Sequence, residues 1–374
     1  MSQIKIDSRK DFLKILNDKF FSKVFVLSGT NSFEKSGARK LLTKSLNKDQ
    51  KSFIYLKKSK EPNLDELLKI KYVFDKFKPQ ILLAIGGGSV IDYAKILCAT
   101  KIDEKIKKKI VNNKNLDFKK ITKLLAIPTT AGSGAESTSS AVIYINKIKF
   151  SIEDEKLIPD YYYLSPDLII KSNKLIKSSA GFDAISQSIE SLISLKSNNN
   201  SVKFAKESLS ISLKNFIPSI KKPTLYNTYK MSLAANLSGK AINISRTTAP
   251  HAVSYPFTAH FGISHGHAVS LTIEKFLKFN YDKINYSNSN FDLNKRYEIL
   301  FNIFNTKNIH QLVKKIYYLK KQSGLETDFN KLGINLKNNL TKILSGVNDK
   351  RLSNNPIKIQ KKDVKIILLS KNLF

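Results

Sequence analysis

The chain has 374 residues, of which 41% are hydrophobic and 25% are charged, and this is the composition of an ordinary globular protein. Its single cysteine, Cys98, excludes an intrachain disulfide framework and fits a reducing compartment. The formal net charge of +34 would suit nucleic-acid binding, but the lysines are spread along the whole sequence without a nucleic-acid motif, so we expect no nucleic-acid partner.

Strands and helices alternate through the first half of the chain. Apolar residues recur at helical spacing over 10–21, and the apolar run at 24–27 predicts a buried strand that the turn residues 28–32 close. Further strands are predicted over 51–56, 81–85, 124–127, 141–145 and 161–164, and further helices from 36, over 64–77 and from about 91 to 100. This alternation predicts a parallel α/β sheet.

Two of these predicted strands end in loops that suit a phosphate. Three glycines, 86–88, and Ser89 separate the strand at 81–85 from a helix whose N-terminus offers unpaired N–H groups to an anion. The functional interpretation is a diphosphate cradle, and the alternative is a tight turn, because the spacing is not G-x-G-x-x-G. The loop at 128–138 is rich in glycine and hydroxyl side chains, and two such loops on neighbouring strands favour one phosphate site.

The second half of the chain carries helical patterns only. They run over 180–192, 202–216, 225–245, 248–271, 312–323 and 363–369. We therefore predict two domains, an α/β domain over 1–171 and an all-α domain over 172–374. Ligands are expected in a cleft between the two.

The segment 248–271 contains four of the five histidines, which are His251, His260, His265 and His267. His251 and Tyr255 are four residues apart and would share one helical face, and Gly262 offers a break that lets His265 return towards His251. Two imidazoles brought together could hold a divalent metal. The alternative is a buried helix whose histidines satisfy local hydrogen bonds; for the cluster as a whole we favour a site.

Four segments together resemble the iron-containing (group III) alcohol dehydrogenase family in order and spacing. They are GGGSVIDYAK at 86–95, IPTTAGSGAEST at 127–138, GFDAISQSIES at 181–191 and HAVSYPFTAHFGISHG at 251–266. The resemblance covers nearly the whole chain. It implies a fold similar to that of dehydroquinate synthase, in which 1–171 is the α/β dinucleotide-binding domain and 172–374 the helical metal- and substrate-binding domain. The implied cofactors are NAD(P)H and a divalent metal, Fe²⁺ or Zn²⁺, and a homodimer is allowed.

The resemblance also assigns cofactor positions. They are Gly86, Gly87, Gly88 and Ser89 at the diphosphate, Asp92 and Lys95 in support of that loop and helix, and Thr129, Thr130 and Ser133 in the cofactor groove. NAD-preferring members carry an aspartate after the first strand to meet the ribose 2′-hydroxyl. Gly29 stands at that position here, so NADPH is permitted as well as NADH.

The family holds its metal with an aspartate, a histidine four residues later and two histidines fourteen apart. These positions are Asp183, Gln187, His251 and His265 here. Gln187 offers only a neutral amide oxygen, a poorer donor than imidazole, so it could ligate weakly, leave a place to a water or substrate oxygen, or mark a lost metal. His267, or Tyr255, which stands where members often have a further histidine, could relay a proton.

The segment SGKAINISRTTAPH, with SQSIES and HGHAVSLT, resembles the phosphonoacetaldehyde reductase (hydroxyethylphosphonate dehydrogenase) branch of the family. Its members reduce phosphonoacetaldehyde to 2-hydroxyethylphosphonate in phosphonate biosynthesis by metal-assisted hydride transfer. A phosphonate needs cationic and hydroxyl donors, and arginine can bind its oxygens with two parallel hydrogen bonds. The candidate substrate residues are Lys240, Asn243, Arg246 and Thr247. The alternative is that the two cations are simply solvated.

Three other functions remain open from the sequence. Another alcohol dehydrogenase or aldehyde reductase of the family would show similar motifs, and a lyase of the dehydroquinate synthase type would share the fold but need other metal ligands. A nucleotide-binding relative without catalysis is conceivable because of Gln187. The first residues are polar and no apolar run could span a bilayer, so a cytoplasmic protein without a membrane partner is expected.

Overall fold

The computed structural model describes residues 3–100, 102, 105–112, 116–146 and 148–370. The strands are β1 (Ile4–Ile6), β2 (Lys23–Gly29), β3 (Lys51–Lys57), β4 (Ile81–Gly86), β5 (Lys123–Pro128), β6 (Ser140–Ile145), β7 (Ile148–Glu153) and β8 (Tyr161–Tyr163). The helices up to residue 245 are α1 (Arg9–Leu16), α2 (Thr30–Ser36), α3 (Ala38–Thr43), α4 (Leu64–Phe77), α5 (Gly88–Ala99), α6 (Ile106–Val111), α7 (Lys174–Ile193), α8 (Asn199–Lys221) and α9 (Leu225–Ser245). The later helices are α10 (Ala249–Phe261), α11 (His265–Ser270), α12 (Ile273–Asp282), α13 (Leu293–Phe304), α14 (Ile309–Ser323), α15 (Leu336–Ser345), α16 (Asp349–Leu352) and α17 (Lys361–Leu369).

The chain forms two compact units. We call Met1–Thr130 with Gly134–Ser172 the α/β unit, and Ala131–Ser133 with Asn173–Phe374 the helical unit. All eight strands named above belong to the α/β unit. The predicted α/β half followed by a helical half is confirmed.

The α/β unit is built on a six-stranded sheet in the order β1-β8-β5-β4-β2-β3, and every pair in it is parallel. From β2 the chain moves outward to β3 and then returns through α4 to β4 on the other side of β2. The winding direction therefore reverses between β2 and β4, and open α/β sheets bind ligands at the carboxyl ends of such a strand pair. β4 is buried at every residue, which explains its continuous apolar sequence.

Several local predictions were wrong. The three-residue strand β1 lies in a polar stretch whose pattern gives no strand signal, and β6 does not join the main sheet but pairs antiparallel with β7. Residues 30–32 begin α2 instead of forming a turn, because Thr, Asn and Ser also suit the start of a helix. α1 ends at Leu16, and α5 begins at Gly88, three residues earlier than its apolar pattern indicates.

Helix α7 is the centre of the helical unit, and it is buried at almost every residue from Ser178 to Ile193. Small hydroxyl side chains let its neighbours approach closely: Ser188 Oγ donates to Ser208 Oγ on α8 at 2.8 Å, and Ser245 Oγ on α9 donates to Ser191 Oγ at 2.9 Å. A separate apolar cluster joins α10, α11, α12, α15 and α17. Among the helices of the described ranges, none has both the length and the apolar character needed to cross a bilayer.

Candidate active site

Three side chains from three helices converge in the helical unit. One donor atom from each of Asp183 on α7, His251 on α10 and His265 on α11 lies within 4.8 Å of the other two. His251 Nε2 is 3.3 Å from Asp183 Oδ1, and two donors about 2.1 Å from a tetrahedral cation are separated by about 3.4 Å. The predicted aspartate and histidines are therefore brought together at a spacing that a divalent ion fits.

The turn between α10 and α11 produces this convergence. α10 ends at Gly262, whose φ of +68° is the left-handed conformation that glycine adopts at low cost, and α11 then begins at His265. The imidazole rings of His251 and His265 lie edge to face, with their centroids 5.2 Å apart and their planes at 70°. The prediction that a glycine break returns the second histidine to the first is confirmed.

Glu190 is a site residue that the sequence interpretation did not single out. It is 1% exposed on α7 and accepts a hydrogen bond from His251 Nδ1, which leaves Nε2 of that ring to face Asp183. Its other oxygen accepts from the backbone N–H and the hydroxyl of Thr248, each at 2.9 Å. One signal was present: Glu190 follows Asp183 by seven residues, which places both carboxylates on one face of a helix.

The electrostatics of the three-residue group favour positive charge. Burial opposes a charged imidazole at His251, but the charge of Glu190 and hydrogen bonds to Asp183 and Glu190 outweigh it and raise the pKa of His251 to about 10. A place that stabilises a proton so strongly is also suited to a cation. The chemistry of the donors, one carboxylate and two imidazoles, fits Fe²⁺ or Zn²⁺ with an open coordination position.

Gln187 lies one helical turn from Asp183 and is 3% exposed. Its Oε1 is 2.9 Å from the hydroxyl of Ser238 on α9, and its Nε2 is 3.5 Å from the carbonyl oxygen of Ser133. The amide is thus held between two protein groups. Whether Gln187 ligates a metal stays a prediction.

The two proton-relay candidates lie in different surroundings. The ring of Tyr255 is centred 6.0 Å from that of His265. His267 is outside the three-residue group, and its Nε2 donates to the carbonyl oxygen of Glu326 at 2.8 Å. Burial lowers the pKa of His267, which favours the neutral ring, and because Nε2 is engaged with Glu326, Nδ1 is the nitrogen left for a relay. The relay itself stays a prediction for both residues.

The predicted diphosphate cradle lies at the switch point of the parallel sheet in the α/β unit. β4 ends at Gly86, Gly87 caps α5 without a side-chain hydrogen bond, and α5 begins at Gly88 with Ser89 in its first turn. The first N–H groups of a helix have no intrahelical partners, so this end of α5 can accept an anion. A Cβ added at Gly87 would lie 3.4 Å from the hydroxyl oxygen of Thr130, so a side chain here would occupy the cradle.

The second loop lies beside the first, because β4 and β5 are neighbours. Gly86 pairs with Pro128, and the N–H of Thr129 donates to the carbonyl oxygen of Gly86 at 3.0 Å. Gly29 ends β2, the strand on the other side of β4. These positions lie at the carboxyl ends of three neighbouring strands of the α/β unit, where open α/β sheets form a ligand-binding crevice. Binding of a dinucleotide there stays a prediction.

Two charged residues of α5 lie behind this crevice. Lys95 Nζ donates to the hydroxyl of Thr138 at 2.9 Å and to the carbonyl oxygen of Ser140 at 2.8 Å. Burial lowers the pKa of Lys95 to about 8 although Asp92 opposes the shift, and burial raises the pKa of Asp92 to about 6 although Lys95 opposes it. Lys95 thus fastens α5 to the loop after β5. Its support of a cofactor site stays a prediction.

The candidate substrate residues lie at the end of α9 and just after it. Arg246 Nη1 donates to the carbonyl oxygen of Asn243 at 2.9 Å, Lys240 Nζ lies 6.0 Å from the ring centre of Phe204, and Thr247 is buried. Arg246 has φ +61° and ψ 175°, a conformation that is found almost only in glycine. Such a conformation costs about 1–3 kcal/mol at a non-glycine residue, and residues strained in this way cluster at functional sites. Arg246 lies two residues before Thr248, which donates hydrogen bonds to Glu190.

Comparison with known sequences decides the family. The sequence model described as "Iron-containing alcohol dehydrogenase" matches residues 5–166, and the model "Fe-containing alcohol dehydrogenase family, C-terminal" matches residues 177–372. The chain belongs to the iron-containing alcohol dehydrogenase family. The resemblance inferred from the four segments is confirmed at this level.

Two curated relatives of the chain are informative. Phosphonoacetaldehyde reductase of Streptomyces viridochromogenes is 27% identical over 214 residues, which are 54% of this chain and 54% of that protein. 4-Hydroxybutyrate dehydrogenase of Clostridium kluyveri is 28% identical over 235 residues, 60% of this chain and 61% of that protein. The chain thus spans about half the length of the curated relatives that it matches.

A solved structure of the same fold is sulfoacetaldehyde reductase from Bifidobacterium kashiwanohense in complex with NAD⁺. Its TM-score against this chain is 0.83 at 24% identity, covering 96% of this chain and 93% of that one. At this level of identity the similarity shows the fold of an iron-containing alcohol dehydrogenase and no more.

Gly266 should be essential to the three-residue group in this member of the iron-containing alcohol dehydrogenase family. A Cβ there would collide with the carbonyl oxygen of Ser179 and lie 2.7 Å from the Cβ of Asp183. Gly266→Ala is therefore expected to lose about 1–3 kcal/mol of unfolding free energy by overpacking. It should also separate α11 from α7 and weaken Zn²⁺ binding. Urea unfolding and a Zn²⁺ titration measure the two effects.

Gly333→Ala is the control for this substitution. Gly333 has φ +74° and open space around its Cβ position. The alanine should therefore lower the unfolding free energy by only about 1–2 kcal/mol, through backbone strain. Its Zn²⁺ affinity should equal that of the wild type. Unchanged Zn²⁺ affinity in Gly266→Ala would contradict the close approach of α11 to α7.

Proposed function

We propose that this chain is an NAD(P)H-dependent aldehyde reductase that uses a divalent metal, and that its substrate is phosphonoacetaldehyde. The observation that carries the proposal is the convergence of Asp183, His251 and His265 in a member of the iron-containing alcohol dehydrogenase family. The glycines at the N-terminus of α5 in the α/β unit support the proposal of a nicotinamide cofactor.

Each residue of the site has a defined task in this proposal. Asp183, His251 and His265 hold the cation, and the α5 N-terminus with Thr130 binds the cofactor diphosphate. When bound, the cation supplies Lewis-acid polarisation of the aldehyde oxygen and the nicotinamide supplies the hydride. In this proposal Tyr255, whose ring is centred 6.0 Å from that of His265, delivers a proton to the product oxygen.

The choice of an anionic aldehyde rests on two kinds of support. Two curated relatives, phosphonoacetaldehyde reductase and 4-hydroxybutyrate dehydrogenase, have names that specify compounds with an anionic group at one end and a reacting carbon at the other. Arg246 supplies the complementary charge. Its backbone is strained, and strained residues are found mostly at sites that bind ligands or catalyse reactions. The guanidinium would bind the phosphonate with two parallel hydrogen bonds.

A steady-state comparison of two aldehydes tests this proposal. Oxidation of NADH and of NADPH is followed with phosphonoacetaldehyde and with propanal, which has no charge. We expect kcat/KM to be at least about 100-fold higher for phosphonoacetaldehyde, since a charged hydrogen-bonded pair discriminates by about 3 kcal/mol. Equal values would indicate a reductase of uncharged aldehydes. Cofactor binding without oxidation on any aldehyde would indicate a nucleotide-binding protein without catalysis.

Gly29→Asp should change the cofactor preference. A carboxylate at the end of β2 would repel the 2′-phosphate of NADPH and accept a hydrogen bond from the ribose 2′-hydroxyl of NADH. We expect the KM for NADPH to rise at least about tenfold, or about 1.4 kcal/mol, with little change for NADH. Gly29→Asn is the matched control, because in both variants the new Cβ lies 2.9 Å from Ser32 Oγ, but the amide has no charge. Equal increases in the KM for NADPH in the two variants would refute the electrostatic explanation.

A further inference from the structure

We propose that Glu190 is the positioning residue of the metal centre: it fixes the proton of His251 on Nδ1 and supplies the second negative charge that balances a divalent ion. This inference rests on the proposed metal site. It assigns a function to a buried carboxylate that does not belong to the group of candidate ligands.

The hydrogen-bond geometry carries the first half of the inference. Glu190 Oε2 and Asp183 Oδ1 lie on opposite edges of the His251 ring, on the Nδ1 side and the Nε2 side. A carboxylate accepts hydrogen bonds and cannot donate one when ionised, so the Nδ1 proton is directed towards Glu190. Nε2 then carries the free lone pair that coordination needs, and such outer carboxylates typically change metal affinity 10–100-fold.

The charge count carries the second half. Asp183 is the only carboxylate among the three candidate ligands, and the two imidazoles are neutral when they ligate. Gln187 adds no charge and is engaged with Ser238. The ion would therefore leave one positive charge uncompensated in a buried place, which Glu190 at 1% exposure neutralises through His251.

Glu190 also has a structural role that the test must separate. Its Oε1 accepts from the N–H and hydroxyl of Thr248, the N-cap of α10, and lies 3.4 Å from the backbone nitrogen of His251. It therefore caps α10 from a neighbouring helix. Glu190→Gln can keep this cap with its amide oxygen, while its NH₂ group would face Nδ1 of His251 and favour the opposite tautomer, with the proton on Nε2.

The experiment titrates metal-free protein with Co²⁺ and records its visible absorption, for the wild type, Glu190→Gln and Glu190→Ala. Thermal unfolding of the metal-free proteins measures how much Glu190 contributes to stability. We expect Glu190→Gln to bind Co²⁺ about 10–100-fold more weakly, with an altered spectrum, and to lose less stability than Glu190→Ala because its amide oxygen keeps the cap. Glu190→Ala should lose both Co²⁺ affinity and stability.

Glu274→Gln is the matched control, because Glu274 is another buried carboxylate of the helical unit, pairs with Lys320 at 2.6 Å and is not among the three candidate ligands. It should lose stability but retain the Co²⁺ affinity and spectrum of the wild type. If Glu190→Gln binds Co²⁺ as the wild type does, Glu190 is only a helix cap and the inference is overturned. If the wild type itself binds no Co²⁺, the proposed metal site fails and the inference fails with it.

Discussion

His265→Ala should abolish reduction of the aldehyde while leaving NAD(P)H binding intact. The substitution removes one of three candidate ligands and leaves a carboxylate and one imidazole, too few to hold a divalent ion firmly. We expect kcat to fall at least about 1000-fold, which corresponds to about 4 kcal/mol of lost oxyanion stabilisation. Metal content, turnover and the dissociation constant of NADH are measured on the same preparation.

His310→Ala is the control for His265→Ala. His310 is an exposed residue of α14 and is the one histidine outside the segment 248–271. This variant should keep wild-type metal content and turnover. Turnover of His265→Ala within tenfold of the wild type would show that the reaction does not need the metal. A parallel loss of NADH binding would indicate misfolding instead.

Replacing Arg246 should separate charged from uncharged substrates. Arg246→Gln removes a guanidinium that could bind two phosphonate oxygens, and a lost charged interaction of about 1.5–3 kcal/mol lowers kcat/KM about 10–150-fold. Arg246→Lys keeps the charge but loses the planar fork, so an intermediate loss is expected. Activity on propanal should change little in either variant. The measurement is kcat/KM for both aldehydes in all three proteins.

Arg9→Gln controls for the loss of one positive charge from a chain of net charge +34. Arg9 is exposed at the start of α1, and its replacement should leave kcat/KM for both aldehydes unchanged. An equal decrease for phosphonoacetaldehyde and propanal in Arg246→Gln would show that Arg246 shapes the fold after α9 and does not recognise the anion.

Much of the fold could be predicted because burial produces long, regular patterns. The fully buried β4 appears in the sequence as an apolar run, and α4 and α9 have the bounds that their periodicity predicts. Short edge elements gave no such signal: β1 has three residues with a lysine at its centre and is defined only by its pairing with β8. The strand conformation of β1 depends on a partner 157 residues away, Ile4 to Tyr161, and local periodicity contains no information about such a partner.

The candidate ligands could be predicted from spacing and resemblance, but their supporting residues could not. Asp183 and the two histidines stand in recognisable segments, whereas Glu190 becomes a partner of His251 only when α7 and α10 pack together. In the sequence Glu190 is one acidic residue of a helix. The strained backbone of Arg246 likewise depends on how α9 ends and cannot be inferred from the residue types around it.

The most direct test of the metal-centred account is NAD(P)H oxidation with phosphonoacetaldehyde before chelation, after chelation and after Fe²⁺ or Zn²⁺ is added back. The account predicts that turnover disappears with the metal and returns with about one equivalent of ion per chain, because one group of three ligands is present in the described part of the chain. Full turnover in protein from which the divalent ions have been removed would contradict it.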